Sequence, residues 1–177
     1  MTSGNILVII GSAGAGSSNE QLVRHLSSAW VNDEAEIFTE LKSLPHFDPL
    51  RSVENPPPEI VALRSKIEQA KAILICSPEY IFSIPSGLKN MFEWCVSTTV
   101  FSDKPTGIIT ASASGQKGHE ELQLILKTLM ARFTPDTTLL IPGIKGKINV
   151  QGEISDPQTL QDLQHFNRHF LQLLEQQ

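Results

Sequence analysis

A chain of 177 residues that is 40% hydrophobic and 19% charged suits one domain spanning residues 1–177, with a single good core. The formal net charge of −5, with no concentrated basic patch, argues against a nucleic-acid partner. No apolar run reaches the roughly 18 residues of a membrane span. The opening MTSGNILVIIGSAG also lacks a positive leader, so the expectation is a cytoplasmic protein without membrane contact. Cys76 and Cys95 cannot build a disulfide framework. Both fall at apolar periodic positions and read as small buried hydrophobes in a reducing compartment.

The continuous apolar run Ile6 to Ile10 reads as a first strand covered on both faces. It opens onto a loop with three glycines and three serines, Gly11 to Asn19, and then a helix with Leu22, Leu26, Ala29 and Trp30 on one face. Such a loop converges backbone N–H groups and a helix N-terminus on one spot, a geometry that suits a phosphate. The hydroxyls of Ser12, Ser17 and Ser18 and the amide of Asn19 add donors. Ser17 and Glu20 also satisfy a capping-box pattern that needs no ligand. The spacing G-x-x-G-x-G is neither the dinucleotide fingerprint nor a Walker A loop, which argues against a nucleoside triphosphate.

Glu36 to Phe38 predicts a short second strand, followed by an irregular stretch, Leu41 to Pro49, with apolar anchors. Pro56-Pro57-Pro58 predicts a rigid, exposed approach to a helix that buries Ile60, Leu63, Ile67 and Ala70. The third strand is the run Ala72 to Cys76. It stops at Ser77-Pro78 and leads through Tyr80, Ile81, Phe82 and Pro85 into a helix with Leu88, Met91, Phe92 and Cys95 on one face. That proline-rich, aromatic loop is covered either by something flat and apolar or by a neighbouring helix or subunit. A fourth strand, Pro105 to Thr110, opens onto a second small, hydroxyl-rich loop that includes Ser112, Ser114 and Gly115. The next helix presents Leu122, Ile125, Leu126, Leu129, Met130 and Phe133. Thr137 to Ile141 is a fifth strand, and Leu160, Leu163, Phe166, Phe170 and Leu174 mark a last helix.

Strands alternating with helices predict an α/β fold with a five-stranded parallel sheet covered on both faces. In a doubly wound order 2-1-3-4-5, the loops after strands one, three and four would surround one crevice at the strands' carboxyl ends.

Two segments carry a family resemblance. GSAGAGSSN resembles the G-S-x-R-x-x-S-x-N loop of the NADPH-dependent FMN reductases, a flavodoxin-like family with chromate, quinone and azo-dye reductases among its members. SPEYIFSIPSGLKNMFEW resembles that family's T-P-E-Y-N-x-S-I-P-x-x-L-K-N-x-x-D-W. SASGQKG and LKSLPHFDP are similar to two further family segments, in the same order. The resemblance implies a flavodoxin-like fold that binds FMN, with NADPH or NADH as hydride donor and a quinone, azo compound, metal oxyanion or free flavin as small-molecule acceptor. It places the FMN phosphate on Ser12, Ser17 and Asn19, with the Ser18 hydroxyl as a further cofactor-binding candidate beside them. The isoalloxazine would lie against Pro78, Glu79, Tyr80, Ile81 and Phe82, with Ser112, Ser114 and Gly115 at its polar edge or the ribityl chain. The flavin carries the hydride chemistry, so no catalytic side chain is assigned. Members are typically dimers or tetramers, which implies a homodimer or homotetramer here.

Two departures bear on that expectation. Gly14 stands where the family has arginine. Loss of a charge-assisted hydrogen bond of about 1.5–3 kcal/mol predicts FMN affinity roughly tenfold to a hundredfold weaker. Ile81 and then Phe82 follow the tyrosine where the family has asparagine first, which makes the wall more apolar. Competing functions are a flavodoxin-type electron carrier and a binding or regulatory module with weakened or lost FMN. Lys89 and Asn90 read as structural, Glu79 as a loop anchor, and Trp30 and Trp94 as core or interface. His46 and His119 are isolated and lack metal-ligand spacing.

Overall fold

The structure, a computed structural model, describes residues 5–14, 16–31 and 33–176. Met1–Gly4, on which the reading of the leader partly rests, and Ala15 of the first loop lie outside the described residues. In chain order the elements are β1 (Ile6–Ile10), α1 (Ser18–Ser27), β2 (Ala35–Phe38), α2 (Pro49–Glu54), α3 (Pro58–Gln69), β3 (Ala72–Ser77), α4 (Ser86–Cys95), β4 (Thr106–Ser112), α5 (Gln116–Thr128), β5 (Thr138–Pro142) and α6 (Pro157–Glu175). Short 3-10 turns lie at Glu40–Ser43, Pro135–Thr137 and Ile144–Gly146. All the pairings are parallel and the strand order is β2-β1-β3-β4-β5, the doubly wound order expected from the sequence.

Side chains alternate across a strand, so each continuous apolar run serves two cores. Leu7 and Ile9 of β1 and Ile73 and Ile75 of β3 point to the face covered by α3, α4 and α5. Ile6, Val8, Ile10, Ala72, Leu74 and Cys76 point to the opposite face, covered by α1 and α6. Each fully buried Val, Leu or Ile contributes about 1.5–3 kcal/mol, and β1 and β3 are buried along their whole length. Trp30 belongs to the second core, its indole N–H donating to Asn167 Oδ1 at 2.7 Å.

Four expectations change. α1 ends at Ser27 and leaves Ala29 exposed, because the chain turns there to bring Trp30 back onto α6. α5 ends at Thr128, and Met130, at φ 59, is 59% exposed rather than on the buried face. The stretch Leu41 to Pro49 is not wholly irregular. It holds a 3-10 turn and starts α2, whose N-cap Asp48 accepts from Leu50 and Arg51 N–H. Finally, Pro57 is buried, and its carbonyl starts α3 by accepting from Ile60 and Val61. The α2–α4 side is knotted by Arg64. Its guanidinium donates to the Trp94 carbonyl at the last turn of α4 and to Ser52 in α2, a cation at a helix C-terminus.

Candidate functional site

A cleft of about 700 Å³ opens at the carboxyl ends of the strands. One wall is the loop after β1, with Ser12, Ala13 and Gly14, joined by Glu20 of α1. A second is Tyr80, Pro85 and the first turns of α4, from Ser86 to Asn90. The third, formed by Thr39, Leu41, Lys42, Leu44 and His46, follows β2. The expected crevice is therefore shifted. The loops after β1 and β3 line it, but its third side comes from the chain after β2 and not from the loop after β4.

The loop after β1 is fixed at its base and open at its crest. Gly11 N–H donates to the Cys76 carbonyl at 2.9 Å, extending the β1–β3 ladder. A Cβ at Gly11 would stand 2.8 Å from Ser77 Cβ, so only glycine permits this approach. Gly14, by contrast, has open space on its Cβ side. Ser17 caps α1, accepting from Glu20 N–H at 3.3 Å. Glu20 in turn accepts from Gly16 N–H at 2.8 Å and from Arg24 at 2.7 Å. The hydrogen bond from Arg24, then that from Gly16, holds its carboxyl below the usual carboxylate range. The chain's own anion thus sits where an anionic ligand would arrive. The Ser12 hydroxyl, on the cleft wall, has no protein partner among the described residues. Asn19 is turned inward and only 3% exposed. Its amide donates to the Ala111 carbonyl at 3.2 Å and its Oδ1 lies 3.3 Å from Cys76 Sγ. It ties α1 to β3 and β4 rather than reaching the cleft.

The loop after β3 is a tight turn. Tyr80 and Ser83 exchange both backbone hydrogen bonds, at 2.9 and 3.1 Å, around Ile81 at φ 50 and Phe82 at φ 58. Positive φ at both central positions is the pattern that normally selects Asn-Gly, and a β-branched residue there is strained. Ile81 is 95% and Phe82 76% exposed. The turn is held from α5. Glu79 accepts from Gly118 N–H at 2.8 Å and Gly115 N–H at 3.3 Å, a carboxylate at a helix N-terminus. Glu121 accepts from the Ser83 hydroxyl at 2.6 Å and Ile84 N–H at 3.1 Å. Pro78 is buried at the end of β3.

At the last residue of β4, the Ser112 hydroxyl donates to the Glu79 carbonyl at 3.3 Å. Gly115, at φ 90, turns the chain into α5, and Ser114 is exposed. These three residues adjoin the central loop but do not line the cleft. Sequence reasoning missed Thr39, Lys42, Glu121 and the placement of His46. The structural reading of Asn90 holds, through the segment after β2. Asn90 accepts from Phe47 N–H at 2.8 Å and donates to the Pro45 carbonyl at 3.0 Å, helped by the Trp94 indole at 2.8 Å. The signal was LKSLPHFDP, whose Pro45 and Phe47 are the residues held in this way.

The family model for NADPH-dependent FMN reductase matches residues 5–145. The chain belongs to the NADPH-dependent FMN reductase family. Among its relatives, a quinone reductase of Escherichia coli K12 is 30% identical over 166 residues, covering 89% of this chain and 88% of that one. An NADH:(hydroxy)cinnamate reductase subunit of Vibrio ruber is 29% identical over 174 residues, covering 94% and 85%. Among solved structures, a flavoenzyme NAD(P)H:(acceptor) oxidoreductase of Paracoccus denitrificans superposes with a TM-score of 0.75 at 21% identity, covering 97% of each chain, a likeness of fold. This reductase is an FMN-dependent NAD(P)H oxidoreductase with the flavodoxin-like architecture. The residues present fit the cofactor. The cleft has room for a ligand of its size, Ser12 offers an unpartnered hydroxyl, and Gly14 leaves the crest of the loop unobstructed.

Both cysteines are buried. Burial pushes the Cys76 thiol far up and the Cys95 thiol up to about 12, the latter slightly offset by Arg64. Among the described residues, no helix is long and apolar enough to cross a membrane.

Proposed function

We propose that this reductase passes electrons from NADPH or NADH, through FMN held in the cleft, to a quinone. The observation that carries this reading is the pairing, across one open cleft, of an uncommitted phosphate-type loop at Ser12–Gly14 with the Tyr80 ring. Support for the acceptor comes from the relatives named as quinone reductases, including a 2-hydroxy-1,4-benzoquinone reductase of a Burkholderia species that is 30% identical over 171 residues. When bound, FMN supplies the hydride and electron transfer, so the protein's task is to bind, orient and shield.

In this reading Ser12, Ser18 and the N-terminal amides of α1 receive the phosphate, with Ser17 capping the helix. Asn19 positions that helix start from below through Ala111. The flavin ring would lie against Tyr80 and the Ile81-Phe82 turn, near the backbone of Pro78 and Glu79. Ser112, Ser114 and Gly115, outside the cleft lining, would meet it only at its outer edge. Glu79 and Glu121 accept hydrogen bonds from backbone amides, so they position the turn and are not proton donors. The exposed Ile81 and Phe82 would be covered by a second copy of the chain, in a cytoplasmic homodimer or homotetramer.

The test is titration with FMN followed by flavin fluorescence, then NADPH and NADH oxidation with menadione, an azo dye, chromate and free flavin as acceptors. The expected result is one FMN per chain and fastest turnover with the quinone. No binding at roughly 50 µM FMN, a concentration that fills any site with micromolar Kd, would sink the reading. Faster turnover with another acceptor would replace the quinone.

A further inference from the structure

Two histidines and an aspartate meet far from the cleft. His165 and His169 stand at i and i+4 on α6, a spacing that stacks side chains on one face of a helix. Their rings are 4.1 Å apart between centroids. Asp136, in the 3-10 turn just before β5, lies beside them, with its Oδ1 3.1 Å from His165 Nε2. One ligand atom from each of the three falls within 4.8 Å of the others. The cleft lies at the carboxyl ends of the strands, whereas this cluster lies at the amino-terminal end of β5.

We propose that Asp136, His165 and His169 bind a late first-row divalent cation such as Zn²⁺. Paired imidazoles with one carboxylate suit Zn²⁺, Cu²⁺ or Ni²⁺ and not the harder Mg²⁺ or Ca²⁺. His169 Nδ1 lies 2.8 Å from the His165 carbonyl. That carbonyl can only accept, so Nδ1 is the donor and, in the neutral ring, Nε2 is the nitrogen left for a metal. Metal-binding histidines are commonly oriented in this way by a second hydrogen bond. Ligand atoms around a tetrahedral zinc stand about 3.4 Å apart. Closing the present cluster therefore asks for side-chain rotations of roughly 1 Å at half-exposed groups. The hydrogen bond between His165 and Asp136 opens as the ion enters between them, and any proton they share is released. Three protein ligands leave the fourth position to water. An ordinary ion pair would need only Asp136 and His165. The third group, with Nε2 left for a metal, is what points to an ion. The ion would clamp α6 to the turn that starts β5.

The test uses the tag-free full chain, stripped with chelator, and isothermal titration with ZnCl₂, its FMN content recorded but not adjusted. The expected result is one Zn²⁺ per chain and an unfolding midpoint that rises with zinc. H169A and D136A are expected to weaken binding at least tenfold, and H25A, on the exposed face of α1, to leave it unchanged. Co²⁺ should give visible bands of a site with nitrogen and oxygen ligands and no thiolate charge transfer. All three residues are at the surface, so circular dichroism should show the variants folded. A variant that does unfold is replaced by H169Q, for which the same loss is expected. No saturable binding, binding equal in H169A and the native chain, or a thiolate band from Co²⁺ would each overturn the site.

Discussion

The loops after β1 and β3 both border the cleft, yet they are built in opposite ways. The first is anchored at its ends, through Gly11 to Cys76 and through the Ser17 cap, and among the described residues nothing lies within 4 Å of a Cβ placed on Gly14 at its crest. The second is over-determined. Two carboxylates from opposite sides of the turn, Glu79 and Glu121, lock it to α5 in a conformation that Ile81 and Phe82 do not favour on their own. Strain of about 1–3 kcal/mol per residue persists only where the surroundings enforce it. In the proposed function, the phosphate would meet the loop left open at its crest and the flavin ring the loop that is pinned.

The largest expected effect breaks the first loop at its rigid base. Gly11→Ala drives a methyl into Ser77, which is fully buried, and overpacking of this kind costs about 3 kcal/mol. Chemical denaturation should show it, and a cost near zero would mean that β1 and β3 can part at this end. Next, Glu79→Gln keeps the shape of the anchor but replaces one acceptor oxygen with a donor facing Gly115 or Gly118 N–H. Charge-assisted hydrogen bonds contribute about 1.5–3 kcal/mol. With Glu79 half-buried, a loss of about 1.5 kcal/mol is expected. Hydrogen exchange should rise at Tyr80 and Ser83 and stay unchanged at Gly16, whereas a rise spread evenly over both loops would erase the contrast.

At the crest of the first loop, Gly14→Arg restores the family's cation in open space. FMN affinity should rise about tenfold, the equivalent of about 1.4 kcal/mol, with no change in unfolding midpoint. If affinity does not rise, Glu20, already seated on Gly16 N–H, is the group that limits anion binding. Ile81→Asn tests the pinned loop instead. Asparagine tolerates positive φ, so the variant should be more stable by about 1 kcal/mol, a gain of roughly 2–4 °C. A stability gain accompanied by weaker FMN would mean that the Ile81 side chain itself covers the flavin.

These contrasts also show what was legible in the sequence. The sheet and its order were readable because continuous apolar runs have one cheap solution, burial on both faces, and alternating helices then fix a parallel arrangement. The first and third loops were visible as departures from that pattern. The wall after β2 was not, since Thr39, Lys42 and His46 carry no periodicity and gain their place only because Asn90 and Trp94 hold the Pro45–Phe47 segment. The strain at Ile81 was equally hidden. Its backbone angle comes from Glu79 and Glu121, one of them about forty residues on. The family's asparagine there bears on the polarity of the wall, and the turn gives it a conformational reason as well.

The smallest effect is a pH dependence confined to the pinned loop. His119 follows Gly118, whose N–H holds Glu79, and its Nδ1 lies 2.9 Å from Thr110 Oγ1 in the interior. Burial lowers its pKa from the ordinary 6.5, partly offset by Glu120. The folded chain therefore takes up this proton less readily than the unfolded one. Stability from neutral His119 is complete above the unfolded value and declines as pH falls below 6.5 toward the lower folded pKa, then levels off. Protonation would loosen the first turn of α5 and, through Glu79, the Tyr80–Ser83 turn, while Ser17 and Gly16 carry no such link. Hydrogen exchange compared at about pH 7.5 and about pH 5.5, on either side of the ordinary histidine value, should show Tyr80 and Ser83 opening more at the lower pH. His119→Gln should flatten that difference. If it persists undiminished in the variant, the sensitivity does not come from His119, and the central loop is pinned independently of the buried histidine beneath it.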